Sequence, residues 1–265
     1  MTILKGLEWT FNTQAEKYEK MRPGYVSELY DDIFKLVNLN SNSNVIEIGI
    51  GGGQATLPIL KTGCNLTAVE YGENLAKVCC EKFKDYHNFL TIVSKFEDTS
   101  FENNLYDLIF SASAFHWVPE EIGYRKVFDL LKSGGVFARF ANHPYCDKGN
   151  LILSEEIDRI YAMYYYKFYN KKHETLKEYN EQYASNRADI AKKYGFIDIS
   201  YKLYHRTRTF TSKEYIELLG TYSDHIAIEE NIRNKFFSEI ETVIDDFGGQ
   251  ITIYDTIDLQ LARKP

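Results

Sequence analysis

Val45-Ile46-Glu47-Ile48-Gly49-Ile50-Gly51-Gly52-Gly53 reads as a short buried strand entering a glycine-rich turn, and Gln54-Ala55-Thr56-Leu57 opens a helix behind it. Glycine supplies positive φ and carries no Cβ, so a ligand can lie against the backbone. The free N–H groups at the start of the new helix favour polar or anionic ligand groups. Strand, glycine turn and helix in that order form a nucleotide-type cofactor loop.

A dinucleotide loop needs G-x-G-x-x-G/A, whose third small residue lets helix and strand approach closely. Counted from Gly49, that sixth place is Gln54, and the fit fails. The spacing present is E-x-G-x-G-x-G, with Glu47 inside the end of the strand. An acid there repels a pyrophosphate and suits a ligand carrying an ammonium group, as S-adenosylmethionine does. Glu70 closes a second strand seventeen residues beyond Gly53. A carboxylate at that edge can accept hydrogen bonds from both ribose hydroxyls, a device that NAD sites share.

Outward from this loop, helices are expected at 8–20 and 25–38, separated by Arg22-Pro23-Gly24. Val26, Leu29, Tyr30, Ile33, Phe34 and Val37 give the second an apolar stripe. Strands are expected at 44–49, 65–70, 89–93, 106–111 and 136–140, with helices at 54–61, 73–84 and 119–131 between them. Such alternation calls for a parallel sheet with helices on both faces, ligands binding beyond the strands' C-terminal ends. That edge gathers residues 49–53, Glu70, Phe96-Glu97 and residues 111–117. After residue 141 the alternation breaks. Residues 150–182 look helical and tyrosine-rich, including Tyr161, Tyr164, Tyr165, Tyr166 and Tyr169. A helix at 185–194, a strand at 197–210, helices at 212–220 and 228–247 and a closing strand at 251–262 follow. One Rossmann-like domain over 1–265 with helical insertions is expected, not two independent domains.

The bulk numbers bound the function. The chain has 265 residues, 44% hydrophobic and 26% charged, as an ordinary globular protein does. Its net charge of −7 speaks against sequence-independent nucleic-acid binding, which runs on phosphate neutralisation. No apolar run is long enough to span a membrane, and Met1-Thr2-Ile3-Leu4-Lys5-Gly6 shows no secretory signal. Cys64, Cys79, Cys80 and Cys146 lack C-x-x-C spacing and suit reduced thiols in a cytoplasmic protein. Adjacent Cys79 and Cys80 diverge on a helix and are expected to pack. The 21 tyrosines, with abundant Asn, Lys and Ile, fit an AT-rich genome.

With these residues in order, the sequence resembles the class I S-adenosylmethionine-dependent methyltransferases, in the small-molecule group that includes trans-aconitate methyltransferase-like proteins. Phe11, Ala15, Tyr18 and Arg22-Pro23-Gly24-Tyr25 look like the group's cofactor-covering helices, and residues 47–53 match its first motif. Val69-Glu70 resembles its ribose-binding acid, Phe96-Glu97 the segment meeting the adenine, and Asp107-Leu108-Ile109-Phe110-Ser111 its fourth strand. Ala114-Phe115-His116-Trp117 is similar to an element just beyond that strand, and Leu130-Leu131-Lys132-Ser133-Gly134-Gly135 to the turn into the fifth. The resemblance implies a three-layer α/β sandwich around a seven-stranded, mostly parallel sheet with an antiparallel last strand. It implies cofactor-covering helices at 1–40, a cofactor core at 44–141 and helical cap insertions at 145–182 and 211–248. Its implied cofactor is S-adenosylmethionine, leaving as S-adenosylhomocysteine, with no metal. The implied cofactor contacts are Tyr18, Arg22, Glu47, Gly49, Gly51, Gly53, Gln54, Glu70, Tyr71, Leu75, Phe96, Glu97, Ser111 and Phe115. Two departures stand out. Lys95 replaces a frequent Asp, leaving Phe96 and Glu97 to meet the adenine, and Ile50 replaces a smaller residue and is expected to pack inward.

Methyl transfer is an in-line displacement, to which near-attack alignment contributes roughly 7–11 kcal/mol. A general base adds about 10²–10⁴-fold, and only where the acceptor must lose a proton. His116 and His143 are the candidate catalytic residues, each also readable as structural. Trp117, Tyr145 and Tyr165 are candidate acceptor contacts. Arg139, Arg206 and Arg208 can each pair bidentately with a carboxylate, ordinary surface pairing being the default. The expected partner is a small-molecule methyl acceptor, a carboxylate or hydroxyl, with no nucleic acid or membrane and a monomer or homodimer. A non-catalytic S-adenosylmethionine-binding protein, an NAD(P) oxidoreductase and a macromolecular methyltransferase are the competing readings.

Overall fold

Strand β1 (Asn44–Ile48) sends Val45 and Ile46 to opposite faces of a sheet, and each face is buried under its own set of helices. The computed structural model describes residues 6–265, so the expectation about a leader segment at residues 1–5 lies outside the described residues. The other strands are β2 (Asn65–Glu70), β3 (Phe89–Val93), β4 (Tyr106–Ala112), β5 (Leu131–Tyr145), β6 (Ile197–Thr211) and β7 (Gln250–Arg263). They form one seven-stranded sheet in the order β3-β2-β1-β4-β5-β7-β6. Neighbours among β1 to β5 run parallel, while β7 is antiparallel to both β5 and β6. The strand order reverses between β1 and β4, and that switch sets the crevice beyond their C-terminal ends.

One face carries α2 (Ser27–Leu36), α3 (Thr56–Leu60) and α4 (Glu73–Lys82). Their Leu29, Ile33, Ile59, Leu60 and Cys79, with Phe83 just beyond α4, pack on Val45, Leu66, Leu108 and Phe140. On the other face α5 (Glu120–Leu130) and the turn at Asp189–Tyr194 place Tyr124, Val127, Leu130 and Ala191 over Ile46, Ile109 and Phe137. A third cluster joins the later insertions: α6 (Leu151–Tyr161) with the π-turn Ala162–Tyr166, and α8 (Ser212–Leu219), α9 (Ser223–Ile226) and α10 (Glu230–Asp246). Ile251 and Ile253 of β7 tie that cap to the sheet. Among the described residues, no helix is long and apolar enough to cross a membrane.

Three elements depart from the periodicity reading. The first expected helix divides into a 3₁₀ segment, Glu8–Gln14, and α1 (Ala15–Met21). The fifth strand runs on to Tyr145 instead of stopping at 140, because β7 pairs with it throughout, His143 facing Thr256 and Tyr145 facing Tyr254. Asn142-His143-Pro144 looks like a loop in sequence. Beyond Ala112, however, no β4 residue pairs with β5, and an edge position tolerates the missing proline N–H. Lastly, 150–182 is not continuous helix. Asn170 turns left-handed (φ 49), residues 171–180 are irregular, and helix resumes as α7 (Glu181–Ala188).

Candidate functional site

Gly49 and Gly51 hold positive φ, 72° and 57°, which an L side chain resists. A Cβ on Gly49 would stand 2.4 Å from Ala114 Cβ, where the segment after β4 crosses the loop. A Cβ on Gly51 would meet the Tyr18 ring at 3.1 Å. Helix α1 therefore lies directly over the glycine turn. Gln54 Nε2 donates to the Tyr18 and Glu19 carbonyls at 3.4 and 3.3 Å. Lys82 Nζ bridges the Glu19 carboxylate (2.6 Å) and the Gly52 carbonyl (2.9 Å). Ile50 is buried in the core beneath, and Cys79 donates its thiol to the Gly51 carbonyl.

Two carboxyls converge on this loop. Glu70 accepts from the Gly51 N–H and the Gly72 N–H, each at 2.9 Å. Burial raises its pKa, and those backbone donors pull the other way. Glu47 is fully buried on β1, where Thr56 donates to its Oε2 at 2.7 Å. Burial drives the Glu47 pKa up to about 8; the Thr56 bond opposes this and the nearby Glu70 charge adds to it. Glu47 Oε1 is buried with no hydrogen-bond partner among the described residues.

The remaining expected cofactor contacts line the same edge, at different depths. Tyr71 is half exposed at 50% with Lys95 Nζ 5.5 Å from its ring, whereas Leu75 is buried. Phe96 is buried, and Lys126 Nζ donates to the Phe96 and Glu97 carbonyls. Ser111 spends its hydroxyl on the Ile48 carbonyl at 2.8 Å, and Phe115 is buried against Tyr124 and Phe137. Gly53 (φ 74) packs against Phe83 and Cys79. The Arg22 guanidinium lies 4.1 Å from the Tyr222 ring centroid and 5.1 Å from that of Tyr18, and donates to the Thr221 carbonyl. It pins α1 to the cap, and its Nε is buried and unpartnered among the described residues.

Beyond β4, the rings of Tyr18, Phe11, Trp117 and His116 form a chain with centroid separations of 5.4, 6.0 and 4.9 Å. Burial, then the charges of Arg187, Arg139 and His143, hold the His116 pKa down at about 4, so it is neutral at pH 7. His143 lies in β5 with Nε2 2.9 Å from Asp258 Oδ1, and its ring stacks on Tyr179 at 3.7 Å. Tyr179 donates to Asp258 Oδ2 at 2.9 Å, and Gln260 Nε2 donates to the same oxygen. Burial works to raise the Asp258 pKa, but the His143 bond and charge outweigh it and keep the carboxyl ionised. A carboxylate only accepts, so His143 Nε2 is the donor to Asp258.

Tyr145 stands half-buried at the end of β5 beside Lys148. Tyr165 lies inside the cap and donates to Asp224 Oδ2 at 2.7 Å, while His225 bonds Asp224 and Tyr161. Burial opposes ionisation of Asp224, yet His225 and Tyr165 hold its pKa down at about 2.

The arginines differ from the surface-pairing default. Arg206 and Arg208 both bond the fully buried Asp255, and Arg139 is buried against Phe115 and Tyr124. Sequence reading missed Tyr179, Arg187, Asp255 and Asp258. For the two aspartates a signal exists, since each interrupts an apolar stretch of β7. Tyr179 and Arg187 sit in polar sequence that offers none.

Residues 46–138 match the model of the methyltransferase domain family, from β1 into β5. An uncharacterized methyltransferase of Schizosaccharomyces pombe is 21% identical over 89% of this chain and 87% of its own length. The malonyl-[acyl-carrier protein] O-methyltransferase 1 of Ilyobacter polytropus is 31% identical over 38% of this chain and 40% of its own. Among solved structures, an Anaeromyxobacter dehalogenans protein named as a candidate type II methyltransferase superposes with TM-score 0.61. It is 17% identical, covering 91% of this chain and 97% of that one. Haemonchus contortus phosphoethanolamine N-methyltransferase 2, bound to phosphomonomethylethanolamine and S-adenosylhomocysteine, gives TM-score 0.56 at 17% identity. That match covers 96% of this chain but only 57% of the Haemonchus chain.

Proposed function

We propose that this chain, an S-adenosylmethionine-dependent methyltransferase of the class I fold, methylates a small-molecule acceptor on a carboxylate or hydroxyl oxygen. The observation that carries the reading is the covered edge. Helix α1 lies on the glycine turn and Arg22 fastens it to the cap, so the turn is covered in place of lying open. The Ilyobacter relative is named for O-methylation of a malonyl group, a carboxylate acceptor.

The residues present fit S-adenosylmethionine. Arg22 Nε is a buried donor without a partner among the described residues, matching a carboxylate, and Glu47 Oε1 is a buried oxygen without one, which would face an ammonium once the Glu47 carboxyl gives up its proton. Glu70 would exchange its backbone donors for ribose hydroxyls. Tyr71, Leu75, Phe96 and Glu97 flank the adenine side, and Gly49, Gly51, Gly53, Gln54, Ser111 and Phe115 shape the floor. The bound cofactor supplies an electrophilic methyl group on a sulfonium.

The chain's own contribution is alignment and exclusion of water. Trp117 and Tyr145 line the acceptor's approach, and Tyr165 supports the cap from inside. For a hydroxyl acceptor, His143 Nδ1 takes the proton while Asp258 and Tyr179 fix its ring; a carboxylate acceptor needs no base. His116, held neutral, positions rather than charges the site.

Incubation with labelled cofactor and a panel of carboxylic acids, phenols and amines tests this reading. Labelled ester or ether products are expected. Label found only in amines would overturn the oxygen assignment, and S-adenosylhomocysteine binding without turnover of any compound would favour a non-catalytic binding protein.

A further inference from the structure

Arg139 on β5 and Arg187 on α7 both line a small cavity of about 10 Å³, together with Tyr124, Phe137, Ala188, Ala191 and Gln260. Arg139 is only 8% exposed. Each guanidinium offers five N–H donors. Among the described residues, Arg139 is bonded only to the Tyr124 hydroxyl, and Arg187 makes no hydrogen bond or ion pair. The Nε of both is buried and unpartnered, as is Gln260 Oε1.

The surrounding charges do not balance. His116 is neutral, and Asp258, the carboxylate that faces the pair, is already committed to His143, Tyr179 and Gln260. One buried guanidinium and one half-buried guanidinium against one committed carboxylate leave an excess positive charge. An unpaired buried charge costs several kcal/mol, so such a site is completed by an anion.

The place of this cluster decides which anion. Arg139 pairs in register with Ser111, whose hydroxyl bonds Ile48 one residue before Gly49. Two strand spacings, roughly 10 Å, therefore separate Arg139 from the start of the glycine turn. His116 lies on this side as well, its ring tilted against Trp117 at 4.9 Å, and the charges of both arginines lower its pKa. A small molecule reaching the sulfonium side of the crevice can span that distance with its far end.

We infer that Arg139 and Arg187 form an oxyanion subsite for the methyl acceptor, which carries a carboxylate or phosphate group remote from the atom methylated. The cavity holds about one water, so the oxyanion enters by displacing the half-buried Arg187 side chain outward and is then gripped by both guanidiniums. Naming the ligand as acceptor rests on the methyltransferase reading; the anion site itself does not.

The test uses the full chain with S-adenosylhomocysteine, titrated by calorimetry with a panel of di- and tricarboxylates, with phosphomonoesters and inorganic phosphate, and with the matching amides and alcohols. Saturable binding by at least one oxyanion class is expected, with the neutral analogues at least tenfold weaker. Arg187→Gln should weaken that binding at least tenfold and leave S-adenosylhomocysteine affinity unchanged, while Arg125→Gln, an exposed residue paired with Glu121, should alter neither. Arg139→Met gives a second reading should Arg187→Gln fold poorly. Carboxylates binding without phosphates, or the reverse, identifies the acceptor's anionic group. Absence of oxyanion binding by the wild type, or equal binding by a folded variant, overturns the subsite. Loss of S-adenosylhomocysteine binding by the wild type, with oxyanion binding intact, would instead overturn the methyltransferase reading alone.

Discussion

Glu47 is a carboxyl enclosed on β1 with one oxygen bonded to Thr56 and the other to nothing. Its folded pKa of about 8 stands above the ordinary 4.5, so between those values the folded chain keeps a proton that the unfolded chain releases. Stability must therefore fall as pH rises through that window, by about 1.4 kcal/mol per pH unit where the difference is complete. His116 acts in the opposite sense between about 4 and 6.5, where its unfolded form takes up a proton that the folded form refuses. The two effects separate above pH 6.5. Glu47→Gln is expected to flatten the decline of the thermal midpoint between pH 6.5 and 8. An unchanged slope in the variant would exclude Glu47 as its source. The sequence marked Glu47 as an acid beside the turn. It carried no sign that Thr56 claims one oxygen, because that bond forms only once α3 folds back over β1.

At the scale of elements, α1 is the piece whose role is most exposed to test. Arg22 and Gln54 tie it to the cap and to the glycine turn, while Glu19 and Lys82 join it to α4. Removing residues 1–24 should abolish tight S-adenosylhomocysteine binding by calorimetry and leave the circular dichroism of the remaining sheet and helices in place. Arg22→Ala, a milder change, should weaken binding about tenfold or more through the loss of a charge-assisted contact. Retained affinity in both variants would remove α1 from the cofactor site. The order of helices and strands up to residue 131 is legible because each follows a local signal: an apolar stripe, a glycine stop, a short β-branched run. The length of β5 is not local. Its last four residues, Asn142 to Tyr145, are polar or proline, and only pairing with β7 makes them a strand.

Over the whole molecule, the late strands bind distant polar residues into two clusters. Asn142, Arg206 and Arg208 surround Asp255, and Arg206 also reaches the Gly24 carbonyl, so this cluster holds the N-terminal turn against β6 and β7. Asp255→Ala would leave two guanidiniums facing each other without a carboxylate. A loss of about 3 kcal/mol in denaturant unfolding is expected. A change below about 1 kcal/mol would mean that both arginines escape to solvent without cost. The counterpart cluster, built on Asp258, holds His143, Tyr179 and Gln260.

What the sequence determined by itself is the glycine turn, the two acids beside it and the alternation that sets them at one sheet edge. These depend on φ preferences and on repeats of two and 3.6 residues, which act over a few positions. The residues proposed to meet the acceptor were brought together by tertiary structure alone. His143 and Asp258 are 115 residues apart in the chain, and Arg206 and Asn142 are 64 apart. They meet because β7 inserts antiparallel between β5 and β6, and no local preference encodes that pairing. A buried charge is stable only beside its partners, so each of these residues acquires its chemistry from neighbours that the fold supplies.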